Sequence, residues 1–239
     1  MDNTFIPGLL MTVLSLACFT IVLAGLRKAL AFAGWTAPIQ KRTFSFALGG
    51  ILLWLALLGG LSLNGVFRNF TALSPKLLLV PLTGFFIVLL ISFSKGFGRL
   101  LRSTPPQWLV YFQAFRIFVE LLLWFAFFKG LIPSQMTFEG FNYDVFSGIL
   151  ALPAGWMLAN GVRYARQVAI AYNLLGLLLL FNIVTIAVLS MPTPFRQFLN
   201  DPANRIVAEF PFVYLPGVLV VLAFAFHIFS LRQLLQKNR

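Results

Sequence analysis

The 239-residue chain is 60% hydrophobic and only 10% charged, with a mean hydropathy of +0.92 and a formal net charge of +12. An ordinary soluble domain carries about 25% charged residues, so the composition excludes a water-soluble globular protein and predicts an integral membrane protein in contact with the lipid bilayer. The basic excess does not indicate a nucleic-acid partner, because the basic residues lie between hydrophobic runs and are not interleaved with aromatic residues.

A membrane-spanning helix requires about 20 consecutive apolar residues. Seven runs meet this description and predict an all-α polytopic bundle that forms a single transmembrane domain over residues 1–239. The fifth run is short and is interrupted by Pro153. The N-terminus lacks the basic stretch of a secretory signal peptide, so we expect the first run to be retained. The runs are, in chain order, 6–26, 44–63, 77–94, 108–132, 145–161, 168–190 and 211–231.

The charged residues between the runs predict an orientation. The segments after runs one, three, five and seven hold two thirds of the basic residues and no acidic residue. The positive-inside rule therefore places the N-terminus outside and the C-terminus in the cytoplasm. The basic residues of these segments are Arg27, Lys28, Lys41, Arg42, Lys95, Arg99, Arg102, Arg163, Arg166, Arg232, Lys237 and Arg239.

The longest outer segment, 191–210, is rich in turn residues and predicts a structured loop or a short interfacial helix. It contains FRQF at 195–198, which repeats the FRNF of 67–70. One hypothesis for this similarity is a parallel repeat that pairs runs two and three with runs six and seven, as in some small sugar transporters.

The fourth run contains Arg116 and Glu120, the two ionisable residues placed deepest in a hydrophobic stretch. Their spacing of four puts them on one helix face, where they can pair, and Gln113 lies on the same face. A charge in the middle of a membrane costs about 2.5–3.5 kcal/mol on insertion scales, so this face must look into the bundle or a wet cavity. Two interpretations stay open: an ion pair that ties helices together, or a site for a ligand, proton or ion.

Asn173 and His227, in runs six and seven, lie at a depth similar to that of Arg116 and are its expected partners in a buried polar site. His227 is the only histidine and the only cysteine is Cys18, so we expect no metal site, no disulfide framework and no haem. We expect no other cofactor either, since the last run lacks the lysine that retinal requires. No nucleophile motif appears, and no catalytic residue is assigned.

A second candidate site lies in the loop MTFEGFNYDVFSG at 136–148. Glu139 begins a turn with Gly140, and Asp144 is placed to cap the following helix. Glu139, Asn142 and Asp144 also offer several oxygen atoms close together, so a cation or a polar ligand could bind there.

Three stretches, RIFVELLLW at 116–124, PSQMTFEGFNYDVFSG at 133–148 and FPFVYLPGVLVVLAFAFHIFSLRQL at 210–234, resemble an uncharacterised family of bacterial multi-pass membrane proteins, chiefly of the Bacteroidetes group. The resemblance implies a location in the bacterial cytoplasmic (inner) membrane, with the MTFEGxNxD-like loop and the Arg–Glu pair as marks of the family. It implies no activity. Phe141 stands where the resemblance leads us to expect a basic residue.

The leading functional hypothesis is a small-ligand sensor or transporter-like bundle with a buried Arg116/Glu120 site, whose partner is a small ligand or ion. The alternative is a non-catalytic subunit or assembly factor of a larger membrane complex, with other membrane proteins as partners. An enzyme that acts on lipids is a third hypothesis, and Glu139 and Asp144 are the local candidates for the acid or base that it would need.

Overall fold

The computed structural model describes residues 3–71 and 75–236, and within these ranges the chain forms helices and no strand. A 3-10 turn spans Phe112–Ala114, and a π-helical turn spans Leu215–Leu219. The α-helices are α1 Phe5–Phe32, α2 Ala37–Leu63, α3 Lys76–Phe93, α4 Lys95–Ser103, α5 Pro106–Tyr111, α6 Phe115–Phe128, α7 Val145–Ala159, α8 Ala165–Leu189 and α9 Val220–Leu235.

Six helical segments are long and apolar enough to cross a membrane, which confirms an all-helical membrane protein. The seventh apolar helix is α7, which has only 15 residues. The seventh crossing and the orientation of the termini stay predictions. The six segments are Phe5–Phe32, Ala37–Leu63, Lys76–Phe93, Pro106–Phe128, Ala165–Leu189 and Leu215–Leu235.

Two connecting regions have a defined structure of their own. The segment after the third run contains an amphipathic helix, α4, whose first turn is capped by the Ser94 hydroxyl accepting from the Phe97 amide at 3.2 Å. Because of its basic residues, α4 is not one of the apolar runs of the sequence. Those residues do not oppose helix formation. The segment 191–210 is a loop with one 3-10 turn, Ile206–Ala208, which is the first of the two structures predicted for it.

The continuous α5–α6 segment lies at the centre of the bundle. In its most apolar stretch 56% of the residues are buried inside the protein, against 17% in α2, which lies at the edge. α5 packs against α7 and α9, while α6 packs against α1 and α7. α8 packs on α7 and α9, and α3 packs on α9. Side chains of the central segment therefore have protein on most sides, and polar groups on it can be satisfied internally.

The two ends of the bundle differ in charge. The loop end carries the connections 64–71, 129–144 and 190–214, where Arg68 donates to both oxygens of Glu209 at 2.8 and 2.7 Å. The hydrogen bond and charge of Glu209 hold the pKa of Arg68 above its usual range. Arg196 lies 3.5 Å from Asp201 at the same end. The basic end carries α4 and the C-terminal part of α9, and no acidic residue lies there within the described ranges.

A substitution at Gly84 tests the close packing of α3 on α9. A Cβ atom at this position would lie 2.4 Å from Cγ2 of Val221, so Gly84→Ala forces the helices apart. We expect overpacking to cost about 1–3 kcal/mol and to lower the midpoint of thermal unfolding in detergent. Gly50→Ala on α2 is the matched control, because no atom lies within 4 Å of its added Cβ. Equal midpoints for the two variants would contradict this packing.

Candidate functional site

Arg116, on α6, is 1% exposed and lies at the centre of a buried polar network. Its Nε donates to Oδ2 of Asp144 at 2.6 Å, and Nη2 donates to Oδ1 of the same carboxylate. Its Nη1 donates to the Ser147 hydroxyl at 2.6 Å and contacts the Gly176 carbonyl at 3.4 Å. The guanidinium is thus neutralised by a two-pronged ion pair and bonded on its remaining side, as a charge at this depth requires.

His227, on α9, continues the network on the far side of Arg116. Its Nε2 lies 2.9 Å from Arg116 Nη1, and because a guanidinium can only donate, Nε2 accepts. Nδ1 therefore carries the proton and donates to Oδ1 of Asn173 at 2.9 Å. The Asn173 amide nitrogen donates to the Ala169 carbonyl at 2.7 Å and the Ser230 hydroxyl at 2.9 Å, which fits this assignment. The contacts assign one tautomer of a neutral imidazole.

The network joins four elements of the bundle. α6 supplies Arg116, the start of α7 supplies Ser147, α8 supplies Asn173 and α9 supplies His227. Tyr172 on α8 adds a bond from its hydroxyl to the Ser147 carbonyl at 3.1 Å. The expected meeting of Arg116, Asn173 and His227 is therefore present in the structure.

The expected pairing of Arg116 with Glu120 is wrong. Within the described residues, the carboxylate paired with Arg116 is that of Asp144, which follows Arg116 by 28 positions. Glu120 Oε2 instead accepts from the side-chain amide of Asn142 at 2.6 Å. Asn142 Oδ1 in turn accepts from the Asp144 amide at 3.0 Å, so Glu120 is linked to the ion pair through Asn142. The four-residue spacing allows a pair within the helix. The carboxylate of Asp144, from the loop, instead accepts two hydrogen bonds from the guanidinium.

The outer-loop site of Glu139, Asn142 and Asp144 does not form as one cluster. Asp144 occupies the position before α7 but makes no capping hydrogen bond with its side chain. Glu139 accepts from the indole of Trp124 at 2.8 Å in an exposed contact, whereas Asn142 and Asp144 are buried in the network. Of the two candidates for an interfacial acid or base, Glu139 is therefore the exposed one and Asp144 is buried in the ion pair.

Gln113 lies on the inward face as expected but makes a different contact. Its amide nitrogen donates to the Ala223 carbonyl on α9 at 2.9 Å, while its Oε1 is buried without a hydrogen-bond partner. Gln113 therefore ties the turn between α5 and α6 to α9 and does not bond to Arg116.

A central cavity of about 80 Å³ lies beside the network, towards the loop end. Its walls are mostly aliphatic and come from α3, α6, α8 and the start of α9. Arg116, Glu120 and Asp144 line one side, and Asn204 from the connection 190–214 lies at the roof. The remaining lining includes Leu77, Val119, Ile183, Ala187, Val207 and Leu219.

Asn204 at the roof is fully buried, and its side-chain oxygen Oδ1 has no partner. Its side-chain amide nitrogen donates to the Ala187 carbonyl at 3.0 Å, and its backbone N–H donates to the Ser190 carbonyl at 2.9 Å. These two bonds fix the side chain at the cavity wall. Asn204 therefore adds a polar side chain to the roof of the cavity.

Sequence reasoning missed Ser147, Ser230 and Asn204 as members of the site. Small hydroxyl residues in apolar helices are common, and nothing in their spacing marks them. Asn204 belongs to a loop whose path over the bundle is set by distant contacts. Asp144 was identified, but in the wrong cluster. Apart from Glu120, the sequence has no acidic residue deep in a hydrophobic run. An acidic residue from a loop was therefore the other source of a counter-charge for Arg116.

Residues 75–235 match the family described as "Domain of unknown function (DUF8737)". The match covers more than half of the chain and includes every residue of the network and of the central cavity, whereas α1 and α2 lie outside it. No curated protein and no solved structure matches the chain.

Double-mutant cycles test which carboxylate neutralises Arg116. Arg116→Met and Asp144→Leu each leave one buried charge unpaired, and we expect each to cost about 3–5 kcal/mol. The double variant should cost clearly less than the sum, with a coupling energy of up to about 3 kcal/mol. The measurement is the free energy of unfolding in detergent.

The matched cycle uses Arg116→Met with Glu120→Leu. We expect a smaller coupling there, because Glu120 is bonded to Asn142 and reaches the ion pair only indirectly. A coupling with Glu120 as large as that with Asp144 would contradict the observed pairing.

Proposed function

We propose that this chain, which belongs to the DUF8737 family, is a membrane protein that binds a small molecule in its central cavity, as a sensor or a transporter does. The single observation that carries the proposal is the cavity itself. It combines an aliphatic wall with the Glu120 carboxyl group on one side and the Asn204 amide at the roof. An apolar pocket with a few convergent polar groups is the usual form of a ligand site.

The polar groups of the cavity select the chemical class of the ligand. The lining holds one guanidinium and two carboxyl groups, those of Arg116, Asp144 and Glu120. Asp144 is already paired with Arg116, so Glu120 is the carboxyl group left for a ligand. The Glu120 carboxylate acts as an acceptor, and a molecule that donates hydrogen bonds complements it. A small organic cation with a short apolar body fits both the charge and the walls.

The size of the cavity limits the ligand further. An apolar cavity of about 150 Å³ binds benzene, and a single water needs about 10–15 Å³. The observed 80 Å³ is therefore too small for an aromatic ring and sufficient for several waters or a short aliphatic chain.

We also propose that the protein crosses the membrane seven times, with the N-terminus outside, in a bacterial cytoplasmic membrane. α7 has 15 residues and so extends about 22 Å, less than the hydrocarbon thickness of about 30 Å. The preceding loop contains the buried Gln135, Met136 and Asn142 and covers the remaining depth inside the protein. Irregular backbone at membrane depth is tolerated where it is buried in protein.

Ligand binding is tested by thermal unfolding in detergent with n-propylammonium chloride against equal sodium chloride. We expect a saturable rise of the midpoint, since a ligand at 100 times its dissociation constant stabilises by about 2.7 kcal/mol. Glu120→Gln should reduce the rise by removing the charge opposite the ammonium group, and Ala187→Leu should remove it by filling the cavity.

Ala171→Leu is the matched control, because Ala171 lies on the same helix and is exposed. This variant should respond as the wild type does. A rise of equal size in the wild type, Glu120→Gln and Ala187→Leu would show that the amine acts elsewhere, and no rise in the wild type would contradict the proposed ligand class.

Orientation is tested by labelling single cysteines with a membrane-impermeant maleimide in intact expressing cells. In a Cys18→Ala background, Gln197→Cys lies in the connection 190–214 and Asn160→Cys lies after α7, and both positions are exposed. The proposed orientation predicts labelling of Gln197→Cys in intact cells and of Asn160→Cys only after lysis. The reverse pattern would place the N-terminus inside.

A further inference from the structure

We propose that the basic end of the bundle binds a phosphate-bearing anion in an open pocket between α4 and α9. We call this the phosphate pocket and define it by Lys95, Gly98, Arg99, Arg102 and Arg232, which line it. It lies at the opposite end of the bundle from the roof of the central cavity, and the two sites share no lining residue.

Three of the four cationic residues come from one face of α4. Lys95, Arg99 and Arg102 are spaced by four and three positions, so their side chains lie side by side along the helix. All three are exposed, and the Arg99 guanidinium lies 5.9 Å from the centre of the Trp35 ring. The opposite face of α4 buries Leu100 and Leu101. The helix is therefore held against the bundle with its basic face free.

Arg232 approaches this face from α9. Its Nη2 donates to the Ser94 carbonyl at 3.2 Å, while Nη1 is buried and has no hydrogen-bond partner. The guanidinium packs over Gly98, where a Cβ atom would lie 2.4 Å from Nη2. The absence of a side chain at Gly98 thus makes room for Arg232 in the pocket, with a donor left unsatisfied.

The pocket has no counter-charge from the described part of the chain. Within that part the acidic residues belong to the network or to the loop end, where Glu209 and Asp201 are paired with arginines. Four cations close together repel one another unless an anion from outside the chain lies between them.

Phosphate oxygens supply the charge and the acceptors together. A guanidinium binds two phosphate oxygens side by side. The three guanidinium groups and one ammonium group of the pocket can therefore bind one phosphate from several directions. An amphipathic basic helix beside the last turn of a spanning helix also lies at the level of lipid headgroups. The phosphate can thus belong to an anionic lipid or to a free phosphate, and both present the same chemistry.

The test uses the full chain, purified in a neutral detergent and stripped of lipid. One arm measures binding of phosphatidylglycerol and phosphatidylcholine by native mass spectrometry, and a second arm titrates inorganic phosphate by calorimetry. We expect Arg99→Gln/Arg102→Gln to weaken binding by roughly fivefold for each charge removed, about 25-fold in all. Raising the ionic strength should weaken binding in the wild type as well.

Two further variants separate a built site from the net charge. Arg27→Gln/Arg42→Gln removes two exposed charges from the same end, outside the pocket, and should bind as the wild type does. Gly98→Ala keeps every charge but displaces Arg232, and should weaken binding several-fold. Arg99 and Arg102 are exposed, so their replacement leaves the folding of the chain unchanged, and the midpoint of thermal unfolding checks this.

The two arms identify the source of the phosphate. Binding of phosphatidylglycerol that exceeds that of phosphatidylcholine, with no response to inorganic phosphate, assigns a lipid headgroup. Saturable binding of inorganic phosphate that is lost in the same variants assigns a free phosphate. Absence of binding in both arms, or an equal loss in Arg27→Gln/Arg42→Gln, overturns the proposal.

Discussion

The Arg116 guanidinium has to be neutralised where it lies, because a charge buried among helices in a bilayer has no water to solvate it. Asp144 supplies the opposite charge, and Ser147 and His227 complete the hydrogen bonds. Ion pairs of this kind are costly to desolvate, so their value lies more in specifying one arrangement than in net stability. Here the arrangement is that of α6, α7, α8 and α9 around a single side chain.

The shape of the rest of the bundle follows from this contact. Asp144 precedes α7, so reaching Arg116 brings the start of α7 and the end of its loop deep into the protein. That accounts for the short helix and for the burial of Gln135, Met136 and Asn142 in a loop. Gln135 then donates to the Ser190 hydroxyl at 2.8 Å and accepts from Asn200, which joins this loop to the connection that roofs the cavity.

The central cavity and the phosphate pocket differ in whether their charged residues have partners within the protein. Near the cavity Arg116 is paired with Asp144, and Glu120 accepts a hydrogen bond from the amide of Asn142. At the basic end the cations have no partner of opposite sign within the described residues. The family match over 75–235 contains both sites, and α1 and α2 lie outside it.

The sequence by itself determined the membrane environment and the presence of the apolar helices, because hydrophobic length is a local property. It also identified Arg116, Glu120, Asn173 and His227, since each is costly to place in an apolar helix. Only the tertiary structure decided which of them meet. The choice of Asp144 over Glu120, and the arrival of Asn204 at the cavity, depend on loops whose paths are set by contacts between residues far apart in the chain. Helical periodicity carries no information about those contacts, because it describes one helix at a time.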